Sequence, residues 1–336
     1  MKLLRRSVLA TIAVGAASPA IIHWSAAAAE FTYRCGTGLP DEHPMCVRVR
    51  EAMHKIKQES GGRLDITLHT NSVLGHESAM MSQTLSGALE MYLLPLELLA
   101  PRNQACGISG VGFAFANYDH IWEAMDGELG NYLRGLADKI GFHAIHNCYD
   151  HGFREITSRS KPIETPQDLQ NFKLRLPLAP DLIALFRHLG AAPAPISLNE
   201  VYTALETQAV DGQENPLILI DEEKFYEVQR YCSMTNHWWA GIHVAFGNPS
   251  WDRLPPDLQQ LCDRHFNEAA LKERDDWQGM TRQAAEKLKS KGLMFNSPDI
   301  APFREALRQS GFYQNIRGKA GDTAWALLEK YVGKLA

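Results

Sequence analysis

A run of strict alternation, Leu64-Asp65-Ile66-Thr67-Leu68, lies between two stretches of helical periodicity, and this change of period constrains the fold more than any other feature. Period two predicts a strand with one buried face. From Glu42 to Glu59 the apolar residues recur at helical spacing, and the pattern stops at Gly61-Gly62. Phe31 to Gly36 reads as an earlier strand. Gly75 to Gly87 carries a helix that aims Met80, Leu85 and Leu89 at a core, and Leu89 to Leu94 is the next strand. Parallel neighbours need a crossover, so strand and helix in alternation predict a mostly parallel sheet flanked by helices.

A second set of the same kind begins after Tyr149-Asp150-His151-Gly152. Leu174-Arg175-Leu176 is a strand ended by Pro177, Leu182 to His188 a helix, and Ala192 to Ile196 extended. Ser197 or Asn199 can cap a helix from Glu200 to Thr207. His243 to Phe246 looks like a strand returning to the first set. Pro255-Pro256 opens a helical pattern that runs to about Lys291, interrupted only by Gly279. The expected fold is α/β, with two lobes joined by hinge strands and braced by a long helix. Lobe 1 is residues 30–150, rejoined in part by 240–336, and lobe 2 is residues 151–239.

The first 29 residues have another character. Lys2, Arg5 and Arg6 form a basic head, Ser7 to Ile22 is mostly apolar, and the stretch ends in Ala26-Ala27-Ala28-Ala29. This is a secretory signal with cleavage expected after Ala29. A retained anchor is the weaker reading, because Pro19 interrupts a run already shorter than the ~20 residues a span requires. Arg5-Arg6 before Ser7-Val8-Leu9 fits a twin-arginine signal as well as an ordinary export head, with the latter favoured. The expected location is the periplasm, and the mature chain is expected to be soluble and not inserted in the membrane.

Cleavage removes three basic residues and no acidic one, leaving 31 Lys+Arg against 39 Asp+Glu, a balance of −8. An acidic chain without a basic run is a poor partner for nucleic acid or anionic lipid. Binding of an anion must then rest on a few placed cations. The six cysteines are in no metal-ligand spacing; an oxidising compartment permits up to three bridges among them, but most lie in apolar surroundings, so buried thiols with at most one or two bridges are expected.

Arg175 is the leading candidate for such a cation. It alternates with Leu174 and Leu176, and a guanidinium held by a strand offers parallel N–H donors that match a carboxylate. A surface or interdomain ion pair is the alternative. Arg154 lies where the chain crosses between the two sets, with Glu155 as its alternative partner. Asn215 is read in a turn between Gly212 and Pro216, where its amide can donate to a ligand oxygen or bond its own backbone.

Several blocks together resemble a known family. They are Leu74-Gly75 followed by Glu77, Glu200-Val201-Tyr202-Thr203-Ala204-Leu205, Val210 to Pro216, Tyr226-Glu227-Val228-Gln229, Thr235 and His237. The chain is similar over essentially its whole mature length to the solute receptors of tripartite ATP-independent periplasmic (TRAP) transporters, the DctP family. That resemblance implies a two-lobed periplasmic binding protein, with no catalysis and no cofactor, that closes on an organic acid and passes it to small and large membrane permease subunits. It implies that Arg175 clamps the carboxylate, that Arg154 supports it, and that Asn215 supplies the ligand amide. It places Glu77 near the cleft, and Leu198 and Trp238 against the ligand body.

The chain departs from the family's sialic-acid pattern. Leu93-Leu94-Pro95-Leu96-Glu97-Leu98 has no arginine and is mostly apolar, Leu178 stands where those receptors have an amide, and Leu198 where many have an aromatic. Apolar walls do not compensate buried hydroxyls, which would each cost ~1–3 kcal/mol. The expected ligand is a monocarboxylate with an aliphatic or aromatic body. An enzyme acting on a small acid and a receptor serving an ATP-driven importer or sensor kinase are the rival readings. No His-Glu-x-x-His, nucleophile elbow or dinucleotide fingerprint is present, no metal is expected, and His143 and His146 are read as facing opposite ways on a strand.

Overall fold

The computed structural model describes residues 29–335, so the expected export signal lies outside the described residues apart from its last position. Among them, no helix is long and apolar enough to cross a membrane. Ten strands form one sheet: β1 (Phe31–Gly36), β2 (Leu64–His69), β3 (Met91–Pro95), β4 (Phe142–Ala144), β5 (Tyr149–Ser158), β6 (Lys173–Leu176), β7 (Ala192–Pro195), β8 (Gly212–Asn215), β9 (Tyr231–Gly247) and β10 (Met294–Asn296). Their order is β2-β1-β3-β9-β5-β8-β6-β7, with β4 and β10 also paired to β9. Two parallel blocks, β2-β1-β3 and β8-β6-β7, are therefore joined by the antiparallel pair β9 and β5.

The period-two pattern sets the layers. On β3, Met91 and Leu93 enter one core while Tyr92 and Leu94 enter the other, and on β9 Ile242, Val244 and Phe246 face the same way as Met91. The helix Pro44–Glu59 and the 35-residue helix Pro256–Ser290 cover that face, with Val49, Ile56, Phe266 and Trp277 buried between them and the sheet. Helices Tyr118–Met125, Glu128–Ile140 and Pro180–His188, with the C-terminal helices, cover the other. The result is a two-lobed α/β protein with a long brace. The positions 150/151 and 239/240, where the lobes were expected to divide, lie inside the paired strands β5 and β9.

Details differ from the expectations. The helix read as Gly75 to Gly87 is Glu77–Ser86, and it stops where Gly87 adopts φ +76° and donates its N–H to Gln83 and Thr84 carbonyls. The helix read as Glu200 to Thr207 is Val201–Glu206 behind a 3-10 turn, and neither Ser197 nor Asn199 caps it through its side chain. The residues read as a turn around Asn215 form strand β8, because Glu155 to Ser158 are already extended and pair with them. All six cysteines are buried free thiols, the role favoured for most of them, and no bridge is formed. Each is packed into one of the two apolar layers, where burial pushes its thiol up and no second sulfur is bonded to it.

Between Arg154 and Ile156 the pairing of β5 with β9 slips, and residues 234–237 of β9 bulge out. Glu155 holds the bulge, its Oε2 accepting from the Asn236 N–H at 2.9 Å. Burial pushes the Glu155 carboxyl up to about 8 despite that bond. Folded protein therefore holds a proton that the unfolded chain releases once pH passes the ordinary value of 4.5. Stability should fall as pH rises from there toward about 8. Glu155→Gln keeps an acceptor without the charge, and thermal melts should show a flatter pH profile and a gain in Tm at the alkaline end.

Candidate ligand-binding site

A cleft of about 720 Å³, its mouth included, opens between the halves. All six residues expected at a site (Arg175, Arg154, Asn215, Glu77, Trp238 and Leu198) line it. Arg175 reaches it because β6 sends Leu174 and Leu176 into a core. Its guanidinium is 2% exposed, and its Nε donates to the Ile196 carbonyl at 2.8 Å. Among the described residues it has no ion-pair partner, and neither Nη group donates to protein. Burial pushes the guanidinium down to about 10, partly offset by the Glu214 charge. It is a desolvated cation that lines the cleft.

Arg154 is differently placed. Its partner is not the adjacent Glu155 but Glu214, across the sheet on β8. The Nε and Nη2 of Arg154 donate to both Glu214 carboxylate oxygens, the latter at 2.8 Å, and Nη2 also donates to the Glu214 carbonyl at 2.9 Å. His237 Nε2 lies 3.1 Å from the same carboxylate, while its Nδ1 lies 2.7 Å from the Thr235 hydroxyl. Burial raises the Glu214 carboxyl, but the Arg154 charge and these hydrogen bonds outweigh it and the net direction is down. For His237, burial outweighs the pull of Glu214 and drives the imidazole down. The cluster therefore reads as guanidinium, carboxylate and neutral imidazole.

Asn215 is buried at the end of β8 and makes no turn of its own. Its Oδ1 accepts from Arg154 Nη2 at 2.8 Å, and its Nδ2 donates to Gln213 Oε1, which leaves one amide hydrogen uncommitted. Gln213 is tied in turn to the Thr157 hydroxyl at 2.9 Å.

Trp238, 2% exposed, forms a wall. Its indole lies where a side chain on Gly110 would sit, since a Cβ there would be 1.9 Å from Cζ2. The Val111–Phe113 turn is pinned beside it by the Phe113 N–H on the His237 carbonyl at 2.9 Å. Trp239 is hinge packing instead: its Nε1 donates to Asp150 at 2.9 Å and its ring meets Trp122 edge-on. Glu77 opens its helix, where an acid suits the dipole, and its Oε1 accepts from the Leu198 N–H across the cleft at 3.4 Å.

Four further polar side chains that were not among the expected site residues line the cleft: Thr37, Tyr92, His151 and Glu97. Glu97 was visible as the one charge in the apolar run Leu93–Leu98, and the pattern of that run hid it. Leu178, expected near the ligand, is 46% exposed and lines a second chamber that shares Arg175, Glu77 and Leu98 with the cleft. His143 and His146 do not face apart, because the strand ends at Ala144, and both line a surface depression with Arg134 and Asp138. No group of three or more metal-ligating side chains occurs among the described residues.

Two halves joined by paired strands around a cleft with an arginine floor define a solute-binding receptor. The family model described as DctP, bacterial extracellular solute-binding protein, family 7, matches residues 35–315, and the chain belongs to that family. It is 32% identical over 257 residues to the sialic acid-binding periplasmic protein SiaP of Vibrio cholerae, covering 75% of this chain and 78% of that one. It is 31% identical over 219 residues to the 2,3-diketo-L-gulonate-binding periplasmic protein YiaO of Escherichia coli, covering 65% and 66%. Among solved structures, a TRAP periplasmic solute-binding protein of Sulfurospirillum deleyianum with bound succinate matches at TM-score 0.83 and 26% identity, over 91% of this chain and 99% of that one. One from Sulfitobacter with bound β-D-galacturonate shares the fold at TM-score 0.85 and 22% identity, over 90% and 100%. The protein is a receptor of the TRAP periplasmic type, a family of solute-binding proteins and not of enzymes.

Removing Arg154 leaves Glu214 buried beside a neutral imidazole. Arg154→Met should cost ~3–5 kcal/mol of stability, and Arg154→Met with Glu214→Met should recover much of that loss. Denaturant unfolding of the two single variants and the double variant measures the coupling; additive losses would contradict the pairing.

Proposed function

We propose that the protein binds an organic acid in this cleft, with Arg175 as the carboxylate clamp, and delivers it in the periplasm to the small and large subunits of a membrane permease. One observation carries the reading. Arg175 is a buried guanidinium with no counter-charge of its own, an arrangement that costs stability unless an anion arrives to complete it. Arg154 is already neutralised by Glu214, so its role is to hold Asn215 and to add a positive edge beside the clamp. The uncommitted amide hydrogen of Asn215 serves a neighbouring ligand oxygen. The acids named with the related proteins all carry a carboxylate, in keeping with this chemistry.

The body of the ligand lies against Leu93, Leu98, Leu198, Leu219 and Trp238, all lining the cleft. These walls favour a monocarboxylate with an aliphatic or aromatic body over a heavily hydroxylated one, whose hydroxyls would lose water without finding enough partners. Contact with both halves at once lets such a ligand shift the protein toward its closed form.

Thermal-shift screening of carboxylates followed by calorimetry supplies the test. With an acid that binds wild type, Arg175→Met should lose ~2–5 kcal/mol of affinity. The melting temperature of the ligand-free variant should change little, because the desolvated charge that is removed has no charged partner to orphan and the one lost hydrogen bond is that to the Ile196 carbonyl. Retained affinity would remove Arg175 from the clamp, and a large loss of ligand-free stability would make it structural.

A further inference from the structure

We propose that Glu97 is a specificity-determining residue: it accepts a hydrogen bond from a hydroxyl on the body of an acid held by Arg175, and it turns away acids that carry a second carboxylate. This rests on the reading of Arg175 as the clamp. Glu97 lies on the 3-10 helix Leu96–Leu99, whose first and last residues are buried in a core, so that Glu97 and Leu98 are left to line the cleft. Among the described residues, the Glu97 carboxylate has no ion pair and no hydrogen bond from another side chain. Burial pushes it up to about 7, offset by its own backbone N–H and by the Arg154 charge. The nearby Tyr92 hydroxyl is raised first by burial and then by the charges of Glu77 and Glu97, which puts these three polar groups of the first half in one neighbourhood.

The balance of charge in the cleft gives the selection its direction. The Arg154 cation is cancelled by Glu214, so Arg175 is the one uncompensated cation among the lining residues, and it matches one carboxylate. A second carboxylate on the ligand would find no cation left and would meet Glu97 or Glu77. Above about pH 7, where Glu97 is ionised, two like charges in so confined a site oppose each other and weaken binding. A hydroxyl carries no charge and supplies the donor that Glu97 lacks. A ligand ammonium is the competing donor, and the uncompensated Arg175 guanidinium in the same cleft opposes it.

Two matched series separate these outcomes by calorimetry: butanoate, 4-hydroxybutanoate, 4-aminobutanoate and succinate, and hexanoate, 6-hydroxyhexanoate, 6-aminohexanoate and adipate. In at least one series wild type should bind the hydroxy acid tightest, and the diacid about tenfold or more weaker. Glu97→Gln, checked for an unchanged melt, should bring that ratio to within about threefold, chiefly by improving the diacid. A ratio that survives Glu97→Gln, tighter binding of the diacid or amino acid to wild type, or no binding of any member overturns the proposal. Arg175→Met should weaken every acid that binds. If it weakens none, the clamp itself is wrong whatever Glu97 does, and the two failures are thereby told apart.

Discussion

The buried pair of Arg154 and Glu214 is the interaction on which the cleft depends. It ties β5 to β8, the two strands through which the antiparallel centre of the sheet meets its second parallel block. It draws in His237 from the bulge of β9 and orients Asn215 through the remaining Arg154 donor. Charged hydrogen bonds in a low-dielectric interior are strong only when every partner is in place. Here the carboxylate accepts from a guanidinium on one side and faces an imidazole on the other, and the amide beyond is tied to Gln213. The consequence for function is one of subtraction. With Arg154 spoken for, the positive character of the cleft is concentrated on Arg175.

The hinge is built from the same strands. β5 contributes His151 and Arg154 to the cleft, and β9 contributes Trp238, Ala240 and Ile242. A residue on a strand that crosses between halves keeps its place relative to the sheet while the halves move. The two arginines and Asn215 sit on β5, β6 and β8, whereas Glu77, Tyr92, Leu93 and Glu97 come from the first half. A ligand that bridges these sets gains contacts only when both walls are near it, which is the condition for closure to be driven by binding. The glycine at 110 belongs to this design, because only a residue without a side chain lets the turn lie against the Trp238 ring.

Much of the fold was legible because it rests on periodicity. Leu64 to Leu68 alternates, the segment after Pro255 keeps helical spacing for 35 residues, and both patterns are enforced by burial on one face. Strand β8 was not legible, since Gly212-Gln213-Glu214-Asn215 has neither alternation nor β-propensity and is extended because its partners are. The pairing of Arg154 with Glu214 was hidden for a related reason: 60 positions separate them, and only the register of β5 against β8 brings them together. Arg175 was easier, as a lone cation between two leucines on a strand has few places to go. Glu97 was in view and discounted, because one acid does not alter the period of an apolar run.

That last case shows how recognition and selection are separated in this cleft. The groups that recognise an anion are held by the sheet and by one another, and altering them disturbs the protein as well as the site. Other lining groups, such as Glu97, Leu98 and Leu198, lie in 3-10 turns, and none takes part in the Arg154 cluster. A side chain there can change without orphaning a buried charge, so that wall is free to vary while the clamp is not. A fold shared among receptors for unlike acids is the expected outcome of such a division. By the same logic, a change at Glu97, a single carboxyl group in the mostly apolar run Leu93–Leu98, would alter the wall while leaving the Arg154 cluster intact.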